Sequence, residues 1–146
     1  MILDELVTGF VAGLFSTGAM SLVEYPIWRR WGMEGVSEWH LNQVMVGRIM
    51  NRAPRSVVAQ GLLLHFLHGG LAGIVFVLLL PSIQKVPVMV GGVGFGIILW
   101  VIALLIMKPV TGVGFRHQSL SLLPLIVSFG GHVLYGLFLG LAVTYI

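Results

Sequence analysis

GLLLHFLHGGLAGIVFVLLL, residues 61–80, decides the fold of this chain, because it is strongly apolar and its only ionisable residues are two histidines. A run of about 20 such residues is the length that an α-helix needs to cross a bilayer. This stretch belongs to a span of about 57–80, and three further segments, about 4–24, 87–107 and 121–146, have the same character. The sequence therefore predicts an all-α integral membrane four-helix bundle, folded as a single transmembrane domain over residues 1–146.

The composition argues against a soluble domain. The chain is 58% hydrophobic and 9% charged, with a mean hydropathy of +1.02, whereas a soluble domain is about 25% charged. The spans are too long and too uniformly apolar for barrel strands. The first span begins with Asp4 and Glu5 and has no basic residue ahead of it, so we expect it to be retained and not cleaved as a signal peptide. The absence of cysteine excludes disulfides, thiolate metal sites and covalent haem.

The basic residues predict the orientation of the bundle. With four spans, both termini share one side with Lys85, and the other side carries the remaining basic residues: Arg29, Arg30, Arg48, Arg52, Arg55, Lys108 and Arg116. Short loops rich in Lys and Arg stay in the cytoplasm, so we expect an inner (cell) membrane protein with both termini outside the cytoplasm. The formal net charge of +3 then reflects a basic rim beside lipid headgroups and not a nucleic-acid partner.

The connection between the first two spans contains EWHLNQVMVGRIMNR, residues 38–52. Its apolar residues recur at helical spacing and would share one face: Leu41, Val44, Met45 and Ile49. An amphipathic helix of this kind lies in the membrane interface with its apolar face toward the acyl chains, and Trp39 would anchor it there. We therefore expect an interfacial amphipathic helix between spans one and two.

Apart from Asp4 and Glu5 at the start of the first span, four acidic or histidine residues lie within the spans or at their ends: Glu24, His65, His68 and His132. Counting from the helix ends at about 1.5 Å per residue places all four in the half of the bundle that faces away from the termini. Each lies on the face of its helix that carries small residues, and every span contains a Gly-x-x-x-Gly pair: Gly9/Gly13, Gly69/Gly73, Gly92/Gly96 and Gly136/Gly140. Such pairs let membrane helices approach closely, so we expect the four side chains to converge inside the bundle.

Four interpretations of this Glu/His cluster compete. The simplest is that neutral histidines hydrogen-bond to neighbouring hydroxyl groups or backbone carbonyls. The second is a metal site for zinc, copper or iron, with Glu24, His65, His68 and His132 as ligands. The third is haem b, held by His132 and either His65 or His68, with the adjacent glycine pairs leaving room for the porphyrin. The fourth is a path for protons or solutes in which the histidines titrate.

The last span carries a resemblance. GHVLYGLFLG, residues 131–140, resembles the closing-helix pattern His-x-x-Tyr-Gly-x-x-x-Gly of small four-span prokaryotic integral membrane proteins of unknown function. GFVAGLFSTGAMSLVEYP, residues 9–26, is similar in style to the first helix of those proteins. The resemblance covers about a third of the chain. It implies the four-span topology and marks His132, Tyr135 and Gly136 as positions of interest, but it implies no activity.

These observations favour a membrane subunit. A bundle with so little mass outside the bilayer is expected to work with copies of itself or with other membrane subunits, and a metal ion or haem at the cluster would give it a function. A small proton-coupled or solute transporter is the rival, but it requires a continuous polar route, and the halves of spans two to four nearest the termini are almost free of polar residues. No nucleophile with a paired base is evident, so enzymatic activity is not expected without a cofactor.

Overall fold

The computed structural model describes residues 2–31, 38–107, 109 and 122–146. Over these residues the chain forms no strand and five α-helices: α1, Ile2–Trp31; α2, Glu38–Ile49; α3, Val58–Leu79; α4, Val88–Ile102; and α5, Leu122–Tyr145. Short 3₁₀ turns cover Pro54–Ser56 and Leu80–Ile83, and a π-helical turn, Ala103–Met107, follows α4.

Four segments are long and apolar enough to cross a membrane: Ile2–Ile27, Val58–Ile83, Val88–Ile106 and Leu125–Tyr145. They coincide with the four segments predicted from the sequence to within a few residues at most ends. The all-helical fold with four helices of membrane length is therefore confirmed. The short α2 falls where the sequence predicted a helix at 38–52, although it ends at Ile49.

The helices have a simple packing order, with α1 at the centre. α1 packs against α3 and α5, α4 packs against α5, and α2 packs against α3. Gly9 of α1 lies opposite Gly73 of α3, and Gly13 lies opposite Gly69, so these helices run antiparallel. We call the side of the bundle with both chain ends the terminal side, and the opposite side the loop side.

Glycine pairs produce two close helix crossings. Gly9 and Gly13 on α1 face Gly69 and Gly73 on α3, and the second crossing joins α4 to α5 through Gly92, Gly96, Gly136 and Gly140. A Cβ added at Gly9 would lie 2.8 Å from the carbonyl oxygen of Gly73, closer than any ordinary contact. The predicted role of the Gly-x-x-x-Gly pairs in helix packing is confirmed, and both crossings lie in the terminal-side half.

Two helix ends differ from the prediction. α1 continues to Trp31 instead of ending near Glu24, and it includes Pro26. Proline cannot donate to the carbonyl four residues earlier, but Pro26 is exposed, so its ring displaces no neighbouring helix. The regular part of α4 ends at Ile102, earlier than the predicted span. The π-helical turn that follows is a geometry often found at functional sites.

α2 docks on α3 through polar residues. The sequence predicted that Leu41 and Ile49 share a face toward the acyl chains; Ile49 is 80% exposed, as a lipid-facing residue would be, but Leu41 is buried together with Asn42 and Gln43. Gly61 of α3 explains this contact, because a Cβ at Gly61 would lie 2.8 Å from Cα of Gln43. The missing side chain lets the polar part of α2 pack closely on α3.

Candidate functional site

A cavity of about 230 Å³ lies in the loop-side half of the bundle. α1, α3, α4 and α5 contribute its walls, together with the first residue of the π-helical turn, and two residues of α2 also line it. Its polar lining consists of Thr17, Asn42, His65, His68, His132 and Tyr135. Its remaining lining is Met20, Leu41, Gly69, Ala72, Leu99, Ile102 and Ala103. The cavity thus adjoins the two glycine crossings on their loop side, and Gly69 belongs both to a crossing and to the cavity lining.

Three of the four site residues predicted from the sequence reach this cavity. His65 and His68 come from α3, and His132 comes from α5. The sequence predicted that these side chains converge, because they have similar depths and lie on the small-residue faces of their helices. In the structure all three line the same cavity. Their role in binding a metal or cofactor stays a prediction.

His132 is buried, and a backbone carbonyl fixes its ring. Nδ1 lies 2.9 Å from the carbonyl oxygen of Ser128. Because a carbonyl oxygen can only accept, Nδ1 must carry the hydrogen and donate. In the neutral imidazole, Nε2 then has no hydrogen and keeps a free lone pair. His132 therefore offers the cavity an acceptor nitrogen.

His65 and His68 have different surroundings although they lie one turn apart. His65 is 6% exposed, and its Nε2 lies 3.2 Å from Oγ of Ser21 on α1. This contact ties α3 to α1 at the edge of the cavity. His68 makes no hydrogen bond to any of the described residues, and its side chain is exposed at the cavity edge. His68 is thus the imidazole of the lining that is most accessible from outside the bundle.

The two hydroxyl groups of the lining donate to backbone carbonyls. Tyr135 donates its hydroxyl hydrogen to the carbonyl oxygen of Gly69 at 2.7 Å, which links α5 to α3. Thr17 donates to the carbonyl oxygen of Gly13 at 2.8 Å, within α1. Both hydroxyl hydrogens are used, so each oxygen can present only lone pairs to the cavity.

Glu24 does not line the cavity. It is 2% exposed, and its carboxylate lies against Gly131, where a Cβ would collide with it. The expectation that Glu24 joins the histidines in one shell is therefore not met: among the residues that the structure describes, no three His, Asp or Glu side chains form a group that could hold a metal ion. A continuous helix explains this position, because the stripe from Thr17 to Glu24 carries the carboxylate beyond the cavity into the buried interface between α1 and α5.

Two polar members of the site were not predicted from the sequence. Ser21 contacts His65, and its spacing of four residues from Thr17 could have revealed it as an extension of the same face of α1. Asn42 lines the cavity from α2, and nothing in the local sequence distinguishes it from a solvated residue. Its position depends on the docking of α2 against Gly61.

The cavity opens between α3 and α4. Near the terminal side these helices meet through the rings of Phe76 and Phe95, whose centroids are 5.4 Å apart. Elsewhere these two helices make few contacts with one another. His68 on α3 and Ile102 on α4 line the cavity, and both are exposed. From this exposure we infer that the opening lies between these two helices of membrane length.

The fold and the cavity define a class: a small helical bundle of membrane type with an imidazole-lined cavity in one half. The chain belongs to the family of unknown function DUF6789, whose sequence profile matches residues 3–146. No curated protein and no solved structure matches the chain. Membership agrees with the resemblance to small proteins of unknown function noted in the sequence.

Proposed function

We propose that this chain is a membrane-embedded subunit that binds a small ligand in its loop-side cavity. The observation that carries the proposal is the meeting of His65, His68 and His132 in one lining. Ionisable groups at membrane depth are costly and usually face partners or a functional cavity. A concave site with a few convergent polar groups in an apolar wall is also the usual form of a small-molecule site.

A metal ion or haem iron is the second candidate, and the ring of His132 favours it. Histidines that bind metals usually donate their other ring N–H to a carbonyl or carboxylate, which fixes the tautomer. The bond from His132 to the Ser128 carbonyl has this form. His132 would hold a transition metal together with His65 or His68. Haem b with the same axial ligands is less favoured, because a porphyrin is larger than the cavity of about 230 Å³. The transporter alternative is less favoured, because the cavity lining stops at the glycine crossings.

The subunit role and the orientation complete the proposal. Many large apolar side chains are exposed around the bundle, so its partners are the lipid bilayer and other membrane subunits or copies of itself. Arg30, Arg48, Arg52 and Arg55 are exposed on the loop side, and Lys85 is exposed on the terminal side. Following the rule that basic loops stay in the cytoplasm, we place the protein in the inner membrane with both termini outside the cytoplasm. On the basis of its last helix, we also group it with the small four-span prokaryotic membrane proteins that share the His-x-x-Tyr-Gly-x-x-x-Gly pattern.

The test is to isolate the protein gently from its native membrane and identify what it carries. An absorption spectrum detects haem, elemental analysis detects a metal, and mass spectrometry of a solvent extract detects an organic ligand. We expect one stoichiometric ligand that is lost from His132→Ala. His40→Ala is the matched control, because His40 lies on α2, bonds to Gln43 and does not line the cavity. A wild-type protein that carries no haem, metal or organic ligand would refute the proposal.

A further inference from the structure

The hydrogen bonds of the cavity restrict the kind of ligand that it can take. His132, Tyr135 and Thr17 each use their hydrogen on a backbone carbonyl. A neutral imidazole nitrogen without hydrogen and a hydroxyl oxygen whose hydrogen is used are acceptors. Three of the six polar side chains of the lining, on α1 and α5, therefore present acceptors, and this part of the cavity favours a ligand that donates hydrogen bonds.

The opening restricts the ligand further. Beside it, Leu71 and Ile98 are exposed apolar side chains that do not line the cavity. In a bilayer these side chains contact acyl chains, so a molecule reaches the opening from the hydrocarbon. Charged and strongly polar solutes are excluded from that route, because they do not dissolve in the hydrocarbon.

The size of the cavity points to a compact headgroup. Its 230 Å³ is below the range of about 300–1,000 Å³ that holds a whole drug-sized ligand. A single ring fits this volume, and an attached tail can remain in the lipid outside the opening. Acceptors on two different helices match a ring with two hydroxyl groups better than a single alcohol.

We infer that the cavity binds the reduced headgroup of a lipid-soluble hydroquinone, which enters sideways between α3 and α4. This inference rests on the proposed function and names its ligand class. The two ring hydroxyls donate to the acceptors of α1 and α5, and His68 at the opening is free to donate or accept. The oxidised quinone has two carbonyl oxygens and no hydroxyl hydrogen, so at the α1 and α5 groups it would bring acceptors against acceptors and leave those buried groups unsatisfied.

The test uses the protein in phosphatidylcholine nanodiscs, with tetramethylhydroquinone and its oxidised quinone as probes. The hydroquinone is kept reduced under anaerobic conditions, and binding is measured by equilibrium dialysis against empty nanodiscs. We expect saturable binding of one hydroquinone per chain and at least tenfold weaker binding of the quinone. Leu99→Trp fills the cavity and should reduce hydroquinone binding at least tenfold. Val90→Trp, at an exposed position on the terminal-side part of α4 that does not line the cavity, should leave it unchanged.

A second variant keeps the test valid if Leu99→Trp does not fold. Thr17→Val keeps the shape of the side chain but removes an acceptor oxygen, so it should weaken hydroquinone binding and leave the helical circular dichroism unchanged. Equal or tighter binding of the quinone would overturn the donor assignment while leaving a binding cavity in place. If neither probe binds and the isolated protein carries a metal or haem, the hydroquinone inference fails and the proposed function stands. If neither binds and the isolated protein is empty, both fail.

Discussion

Gly136→Ala should weaken the bundle at the crossing of α4 and α5. A methyl group at Gly136 would lie 2.8 Å from the carbonyl carbon of Gly92 and 3.0 Å from Cα of Val93. Carbon atoms in contact prefer a separation of about 3.5–4.0 Å, so the two helices must move apart by roughly 1 Å. Overpacking of a tight contact costs about 1–3 kcal/mol. We therefore expect the free energy of unfolding to fall by about 2 kcal/mol.

Gly130→Ala on the same helix is the matched control. A Cβ at Gly130 meets no neighbouring atom within 4 Å, so this variant should gain only the helix propensity of alanine, and its free energy of unfolding should stay unchanged or rise by up to about 1 kcal/mol. Both variants can be compared by reversible unfolding in mixed micelles, with helical circular dichroism as the signal. Equal stability of Gly136→Ala and Gly130→Ala would refute the conclusion that close backbone approach holds α4 against α5.

The remaining predictions concern a hydrogen bond, the docking of α2 and the topology. Tyr135→Phe should lower the free energy of unfolding by about 0.5–2 kcal/mol in the same micelle assay, because it removes a bond between α5 and α3; an unchanged value would mean that this bond contributes nothing. Gly61→Ala should loosen α2, since its Cβ would lie within 2.9 Å of the α2 backbone, and faster hydrogen exchange of α2 amides would show this. Cysteines at Ser37 and Ser119 should react with an impermeant reagent only from the cytoplasm and one at Ser82 only from outside; labelling of the first two in intact cells would contradict the orientation.

The sequence predicted those features of the fold that each helix determines by itself. The length and apolar character of 57–80 are local properties, and they led directly to α3. The small residues of Gly9/Gly13 also showed that a close helix contact exists. They could not show that its partner is Gly69/Gly73, because four similar motifs allow several pairings. The choice of partner depends on the rotation of every helix, which is a property of the whole bundle.

The site was predicted in part for the same reason. His65 and His132 share a depth and each lies on a small-residue face, and both properties follow from helix geometry alone. Glu24 shares the face of Thr17, but its position farther along α1 carries it past the cavity to Gly131. Asn42 could not be found, because its place in the lining depends on how α2 docks. Helix periodicity thus identifies the inward faces, whereas contacts between helices decide which side chains share a space.

The position of both glycine crossings near the terminal side has a mechanical consequence. A close crossing of two backbones can serve as a pivot, and the parts of α4 and α5 beyond it act as lever arms. At 1.5 Å per residue, the arm from Gly136 to Leu122 is about 21 Å long, so a rotation of roughly 5° moves its end by about 2 Å. The space between the arms can therefore widen or narrow without breaking the crossings. Such motion would be largest at the loop side, so a change in what fills the cavity would be transmitted to the surface that faces away from the chain ends.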